Sequence, residues 1–418
     1  MSNARHAGFA RLTQDDITAT AVRHEMLYSG RLGGARASFA FCDLSGLSLA
    51  GRNLADADFT GAVLEEADLR GAKLDSASFF GTDLRRANLI NASLRRADLR
   101  GASLRGADLT GADLYEADLR EGTIAEKDRY GNLKVLQHDL GPSELPSATL
   151  HAANLERAKM SGAIAVQADF TDAIMKNCRL TRANLRLARL NGANLENADL
   201  TGCNLTGADL AGAILLGTCL DLVTVDGAKL NGALCAEVEP DAAELGRLQN
   251  AVDRHVRWAE SDGADGAPAD LKGADLRKIK RLAHRMLTAL SAPNAILYGV
   301  NLEGASLQGS NLAGCDLRSA RLAGADLRGA NLCGAKLTHA DLTEARLGPL
   351  LLAESRLLPA RLEKAEARYA DFRGCDLKET ILTGADLSYA NLNEVDLRHT
   401  DFTGTVLAGA KLPAALVA

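Results

Sequence analysis

Between Leu84 and Leu119 a leucine returns at every fifth residue: Leu84, Leu89, Leu94, Leu99, Leu104, Leu109, Leu114 and Leu119. Two places ahead of each stands a small residue, with Ala87, Ala92, Ala97, Ala102, Ala107, Ala112 and Ala117 among them. The position between the two is usually Asp, Asn or Ser. Such a period matches neither a helix, at about 3.6, nor a strand, at about 2. A helix would scatter these leucines around its axis, and a flat strand would throw alternate ones to opposite faces. A chain that turns a corner every five residues sends all of them into one interior. The pattern therefore dictates a solenoid.

The A(D/N)LXX rhythm resembles that of the pentapeptide-repeat family, and it covers most of the chain. The resemblance implies an all-β solenoid, a right-handed quadrilateral parallel β-helix with four pentapeptides per coil. The residues support that number independently. Phe39, Phe59 and Phe79 replace leucine at intervals of 20, which would stack them in one column. Leu99, Leu119, Leu185, Leu205, Leu327 and Leu387 are expected to fill the same kind of interior. Aromatic residues make up only 4% of a chain that is 47% hydrophobic, as a thin coil filled by Leu and Ala requires.

Residues 1–36 lie outside the repeat and read as an N-terminal capping helix. Thr13 can accept the amide near Asp16, Leu12 can pack on Ile17, and the helix should run to about Tyr28 before Gly30 and Gly33-Gly34. Repeats occupy 37–235, interrupted at 125–149, where a Gly131-Asn132 turn between β-prone arms predicts a protruding hairpin or loop. Pro142 and Pro146 stiffen its return, and an insertion at a corner fits the spacing better than a skipped coil. Residues 236–294 read as a helical insert or second cap with one short repeat pair, Leu271 and Leu276. Asp241 to Glu244 resembles a capping box, and Leu245, Leu248, Val252, Val256 and Ala259 follow helical spacing. A second helix is expected over 277–291, with Ile279, Leu282, Ala283, Met286 and Leu290 on one face and Arg277, Lys278, Lys280, Arg281 and Arg285 making the rest basic. Repeats resume over 295–418, with an unbroken series of large positions in which only Ala367 is small, and with Pro349 and Pro359 at outward corners.

The stretch RHVRWAESDGADGAPADL (254–271) resembles RHEMLYSGRLGGARASF (23–39). Each runs from Arg-His through glycines to the first repeat leucine or phenylalanine, which points to an internal duplication of a helix followed by coils. The shared His24 and His255 are expected to bond to helix-terminal carbonyls rather than to act as ligands.

No residue constellation suggests chemistry. There is no GxSxG elbow, no HExxH and no complete phosphate loop, and the recurring Asp and Asn stand on a wet outer surface where proton-transfer pKa shifts are hard to arrange. No cofactor, metal or small-molecule substrate is expected. Cys42, Cys178, Cys203, Cys315 and Cys375 occupy the small inward position, Cys235 a leucine position, and Cys219 and Cys333 face outward, without metal-ligand spacing. The net charge of −6, the lack of an apolar membrane span and a start without a secretory apolar core make the cytoplasm the expected compartment.

The expected role is a rigid scaffold for an unknown protein partner. Its contacts would lie where plain repeat is departed from: Tyr130 in the 125–149 loop, the basic residues of 277–291, and Arg95 and Arg96 in a basic cluster with Arg85, Arg86 and Arg105. Two alternatives follow from other features. The family resemblance suggests a DNA-mimicking protein that binds topoisomerase (gyrase). That needs an acidic rod, yet Phe39 to Ile124 sets 14 acids against 10 bases. The basic helix would instead suit association with a membrane surface, and less readily nucleic acid. The C-terminus shows no capping helix, so either Ala414 to Ala418 folds over the last coil or two chains meet there as an end-to-end homodimer.

Overall fold

The computed structural model describes residues 9–122, 125–127, 133–135, 142–235, 241–353 and 356–413. The chain forms two units, Met1–Val238 and Glu239–Ala418.

In each unit the pentapeptide is one side of a coil. Its Asp, Asn or Ser forms a parallel bridge to the residue one coil on: Ser78 to Asp98, Asp83 to Ser103, Asn88 to Asp108 and Ser93 to Asp113. Four bridge positions five residues apart, each matched after twenty, make a four-sided coil. Asp98 N–H donates back to Ala77 O at 3.0 Å, and Leu99 N–H donates forward to Asp118 O at 2.8 Å. The corner residue takes a left-handed conformation, φ 57° at Arg96 and 66° at Gly101. Its amide still reaches the next coil, as Arg96 N–H does to Tyr115 O at 2.8 Å, which offsets the cost of positive φ in a non-glycine residue.

The leucines and small residues fill the interior. Leu99, Leu119, Leu185, Leu327 and Leu387 are fully buried, and Leu205 is 2% exposed. The rings of Phe39, Phe59 and Phe79 stack at 5.1 and 4.8 Å. The expected column is present.

The interruption after Leu119 is an insertion between two consecutive sides. Ser103 bridges to Glu144 and Asp118 to Lys159, 41 residues on rather than 20, after which the 20-residue offset returns. The repeat therefore resumes at Leu145, one side earlier than the sequence pattern suggests. Ala125–Lys127 pairs antiparallel with Leu133–Val135, the arms of the expected hairpin. Tyr130 and the Gly131-Asn132 turn lie outside the described residues.

A second hairpin was not expected. In unit 2, Asn331 bridges to Arg361, 30 residues on, because residues 349–358 leave the coil. Leu350–Ala353 pairs antiparallel with Arg356–Leu358. Leu352 and Leu357, which the five-residue pattern places inside, are 50% and 48% exposed. An insert of two repeat lengths keeps the phase, so it leaves no trace in the pattern. Pro349 and Pro359 flank this hairpin.

The predicted basic helix at 277–291 is absent. These residues wind as coil, with Asp270 bridged to Ser291, Asp275 to Ile296 and Met286 to Ser306, and with left-handed corners at Arg281, His284 and Ala289. Two of these offsets are 21, so one extra residue sits in this coil. Leu282 and Leu287 point inward, while Leu290 and Ala292 exchange the small and large inward positions. The same string satisfies helical and pentapeptide spacing. A short helix gains little by itself, whereas a neighbouring coil offers ladder hydrogen bonds.

Two helices precede the coils. α1 (Gln14–Tyr28) starts in a capping box in which Thr13 and Asp16 bond reciprocally. α2 (Ala242–Glu260) starts at Asp241, which accepts from Ala243 N–H. The first coil of unit 1 has no preceding coil to receive its outer amides, and α1 side chains receive them instead. Gln14 Oε1 accepts from Ser48 N–H at 2.9 Å and Glu25 Oε1 from Asn53 N–H at 3.3 Å. Ala10–Arg11 pairs in parallel with Cys42–Asp43. His24 Nδ1 accepts from Ala37 N–H at 3.0 Å while Nε2 meets Ala55 O at 2.8 Å. His255 repeats this in unit 2, accepting from Ala269 N–H at 3.1 Å and meeting Thr288 O at 3.1 Å. The two histidines bond to coil backbone rather than to helix-terminal carbonyls, contrary to expectation. The matched geometry extends the internal duplication from sequence to structure.

Candidate functional site

The outer walls are largely neutralised by their own repeat. Wherever Asp-Leu-Arg or Asp-Phe-Arg fills the bridge, inward and next outward positions, the guanidinium folds back on the carboxylate. Arg70 meets Asp68 at 2.8 Å, Arg100 meets Asp98 at 2.7 Å, Arg120 meets Asp118 at 2.7 Å and Arg328 meets Asp326 at 2.6 Å. Arg277, Arg318, Arg373 and Arg398 do the same with Asp275, Asp316, Asp371 and Asp396. Two parallel N–H···O contacts fix each pair, the bidentate geometry that Arg suits best. Arg398 holds the Asp396 carboxyl down to about 2. Burial pushes Asp118 up, but the bonds from Arg120 outweigh it and hold the carboxyl below its ordinary range.

The basic residues singled out from sequence are mostly engaged. Arg85 bonds Asp83 and Glu65, and Arg86 bonds Glu65 and Glu66. Arg95 pairs with Asp113 at 2.7 Å and lies 4.6 Å over the Tyr115 ring. Arg96 pairs with Glu116 at 3.0 Å, and Arg105 with Glu144 at 3.3 Å. Apart from Asp83, these acids lie one coil away, which a linear reading of charge misses. Of the 277–291 group, Arg277 is clamped by Asp275, and Arg285 reaches Asp253 on α2 at 3.0 Å. Lys280 donates its backbone amide to Gln249 of α2. With no helix there, Arg277, Lys278, Lys280, Arg281 and Arg285 are not gathered on a basic helical face, and the membrane-surface reading loses its element.

A different cationic site escaped sequence reasoning. Along one side of unit 1 the bridge column reads Ser78, Asp98, Asp118, Lys159, Arg179, Asp199. Lys159 and Arg179 occupy consecutive rungs, and no other bridge among the described residues joins two cations. Neither makes an ion pair within the described residues; of the isolated rung cations some do, such as Arg189 with Asp169 and Lys229 with Asp209, and others, such as Lys73 and Lys336, do not. Residues 157–190 hold seven bases and two acids in a chain of net charge −6. Lys159 and Arg179 line a surface groove of about 690 Å³.

Two features suit contact rather than chemistry. Leu351, Leu352 and Leu357 are exposed on the 350–358 hairpin, whose Leu350 and Leu358 pack against Gly329. His339, Tyr369 and Tyr389 stack in an outer column at 5.2 and 4.9 Å. Among the described residues no cluster of His, Cys, Asp and Glu could hold a metal ion, and no helix is long and apolar enough to cross a membrane.

Models of pentapeptide repeats match eight times, over residues 42–81, 82–120, 148–186, 188–232, 295–332, 310–348, 352–384 and 380–415. The chain belongs to the pentapeptide repeat family. Members of this family fold as right-handed quadrilateral β-helices. Among solved structures, the chain is similar to HetL, a pentapeptide repeat protein involved in heterocyst differentiation regulation from the cyanobacterium Nostoc sp. strain PCC 7120. Identity is 25% over 78% of this chain and 90% of that one, with a TM-score of 0.25. Rfr23 from the cyanobacterium Cyanothece 51142 is 27% identical over 33% of this chain and 90% of its own, TM-score 0.25. Full-length QnrB1, a plasmid-mediated fluoroquinolone resistance protein, is 19% identical over 51% and 97%, TM-score 0.21. None of the curated proteins compared with the chain matches it.

Proposed function

We propose that this pentapeptide repeat protein is a non-enzymatic rigid scaffold that binds another protein through its side walls. The carrying observation is the contrast between walls neutralised by Asp-Leu-Arg clamps and a few departures from them. Those departures are the Lys159–Arg179 rungs, the antiparallel pair at 125–135 and the 350–358 hairpin. A stiff stack of coils holds such features at fixed spacing, which lowers the ordering cost of binding. On the same reading α1 and α2 close the first coil of each unit against edge-to-edge pairing.

The walls do not favour DNA mimicry. An acidic column clamped by its own arginines presents little net negative potential, so no inhibition is expected in a gyrase supercoiling assay at micromolar protein. Chemical cross-linking in the source cell followed by capture of the full chain tests the scaffold reading. A stoichiometric protein partner supports it, and its absence under conditions that retain known complexes contradicts it. End-to-end homodimerisation rests on the last coil, where Phe402 and Leu407 are only partly buried. Light scattering should then show twice the chain mass of 44.0 kDa, and a monomer at high concentration removes that reading.

A further inference from the structure

We infer that the Lys159–Arg179 groove of unit 1 is a docking site for an acidic segment of a partner protein. This rests on the scaffold reading and narrows it to one surface and one partner chemistry.

Three observations converge on the groove. The first is a pair of like charges on adjacent rungs. Directly opposed like charges on neighbouring strands repel, and Lys159 faces Arg179, with Asp118 and Asp199 on the outer sides of the pair.

The second is a hydrogen bond forgone. At the other charged rungs of this column the carboxylate accepts the backbone amide two residues on: Thr60 to Asp58 at 3.0 Å, Arg100 to Asp98 at 3.2 Å, Arg120 to Asp118 at 3.2 Å and Thr201 to Asp199 at 3.0 Å. Lysine and arginine have no acceptor to offer. Lys159 and Arg179 thus leave two consecutive rungs without the acceptor that the column's aspartates supply.

The third is the rest of the lining. Asp98, Glu116 and Asp118 are already held, by Arg100, by Arg96 and Arg157, and by Arg120. Lys159 and Arg179 have no such clamp, although Asp118 and Asp199 stand on the rungs beside them; the lining carries five cations against three carboxylates, so the groove accepts a ligand with about two negative charges. A phosphate backbone would bring many more and would run along the three lining carboxylates. A protein segment with a few carboxylates can face the two cations and place neutral or basic residues against the acids. Charge complementarity therefore favours an acidic peptide over nucleic acid.

Fluorescence anisotropy of the full chain with a labelled hexaglutamate peptide tests this. A labelled hexaglutamine and a thymidine oligonucleotide of equal charge serve as comparisons. The native chain should bind hexaglutamate, with affinity falling as salt rises, and should not bind hexaglutamine. The double variant Lys159→Asn, Arg179→Asn should lose at least tenfold in affinity while its melting temperature holds, since Asn at a bridge position accepts the amide two residues on, as Asn154 and Asn194 do. The control pair Lys73→Asn, Lys411→Asn, with the same change in net charge, should bind within twofold of the native chain. Absence of hexaglutamate binding, equal binding by the groove variant, or tighter binding of the oligonucleotide each overturns the inference. If a captured cellular partner still binds the groove variant, this site fails and the scaffold reading survives. If no partner is captured at all, the scaffold reading itself fails.

Discussion

At the scale of single residues, the inward small position accepts Ser, Thr and Cys because an acceptor waits there. Thr82 donates to Phe59 O at 2.7 Å, Ser310 to Leu287 O at 3.0 Å and Thr380 to Leu347 O at 2.9 Å. Cys203 and Cys315 point their thiols at Leu180 O and Ala292 O in the same way. Burial pushes the Cys203 thiol up to about 12 and the Cys315 thiol up to about 11. Thiolate is the reactive form, so iodoacetamide at pH 8 should label Cys219 and Cys235, which are exposed, and spare Cys178, Cys203, Cys315 and Cys375 until the protein is unfolded. Labelling of the buried four at the same rate would contradict their placement. Large inward positions show a second compensation. Ala165 and Ala367 stand where leucine is usual, and each is followed five residues later in the same coil by a buried phenylalanine, Phe170 and Phe372. Leu99→Ala should cost about 2–5 kcal/mol in chemical denaturation, as buried leucines do. Arg100→Lys loses only a surface clamp and should cost less than about 1 kcal/mol.

At the scale of elements, the histidines join each helix to its coils. Because Nδ1 accepts a backbone amide, the proton must sit on Nε2, which donates to the carbonyl on the other side. In His255 a second proton, at Nδ1, would face the Ala269 N–H. Burial holds the His255 pKa below its ordinary value, so the unfolded chain binds a proton more readily than the folded one. The stabilising contribution is whole above about pH 6.5 and is lost as pH falls toward the lowered folded value. Trp258, the one tryptophan in the chain, has its ring 5.4 Å from that of His255 and reports on this junction. Its emission should shift on acidification below about pH 6.5, and His255→Ala should abolish the transition while costing about 1–3 kcal/mol for the amide and carbonyl left unbonded. A spectrum unchanged from pH 7 to 4.5 would contradict the role. These elements also mark where sequence is legible. Thr13 and Asp16 announce α1, and the Arg-His match announces the shared junction. The 350–358 hairpin is silent because ten residues preserve the period, and 277–291 misleads because leucines at 282, 287 and 290 satisfy two periodicities at once. Lys159 and Arg179 could have been found from sequence only by writing the chain in coils, since the 21-residue insertion after Leu119 displaces them from their column.

At the scale of the molecule, each coil contacts only its neighbours within its unit, so stability is a sum of rung and stacking terms and falls toward unprotected ends. Amide exchange should therefore be slowest around Leu84–Leu99 and faster in the last coil of unit 2, Leu397–Leu412; uniform exchange would speak against a stack. The outer columns, and with them the proposed groove, exist only if the chain rejoins the same stack after 123–141 and restores the register. Spin labels at Asp68 and Asp169, in a background without the exposed cysteines, test this most directly. The bridges Asp68–Asn88, Asn88–Asp108, Asp108–Thr149 and Thr149–Asp169 place the two on one column four rungs apart. Dipolar spectroscopy should return one narrow distance whose backbone component is about 19 Å, four ladder spacings of about 4.8 Å. A broad distribution, or a distance beyond about 35 Å, would show that these residues do not share a wall.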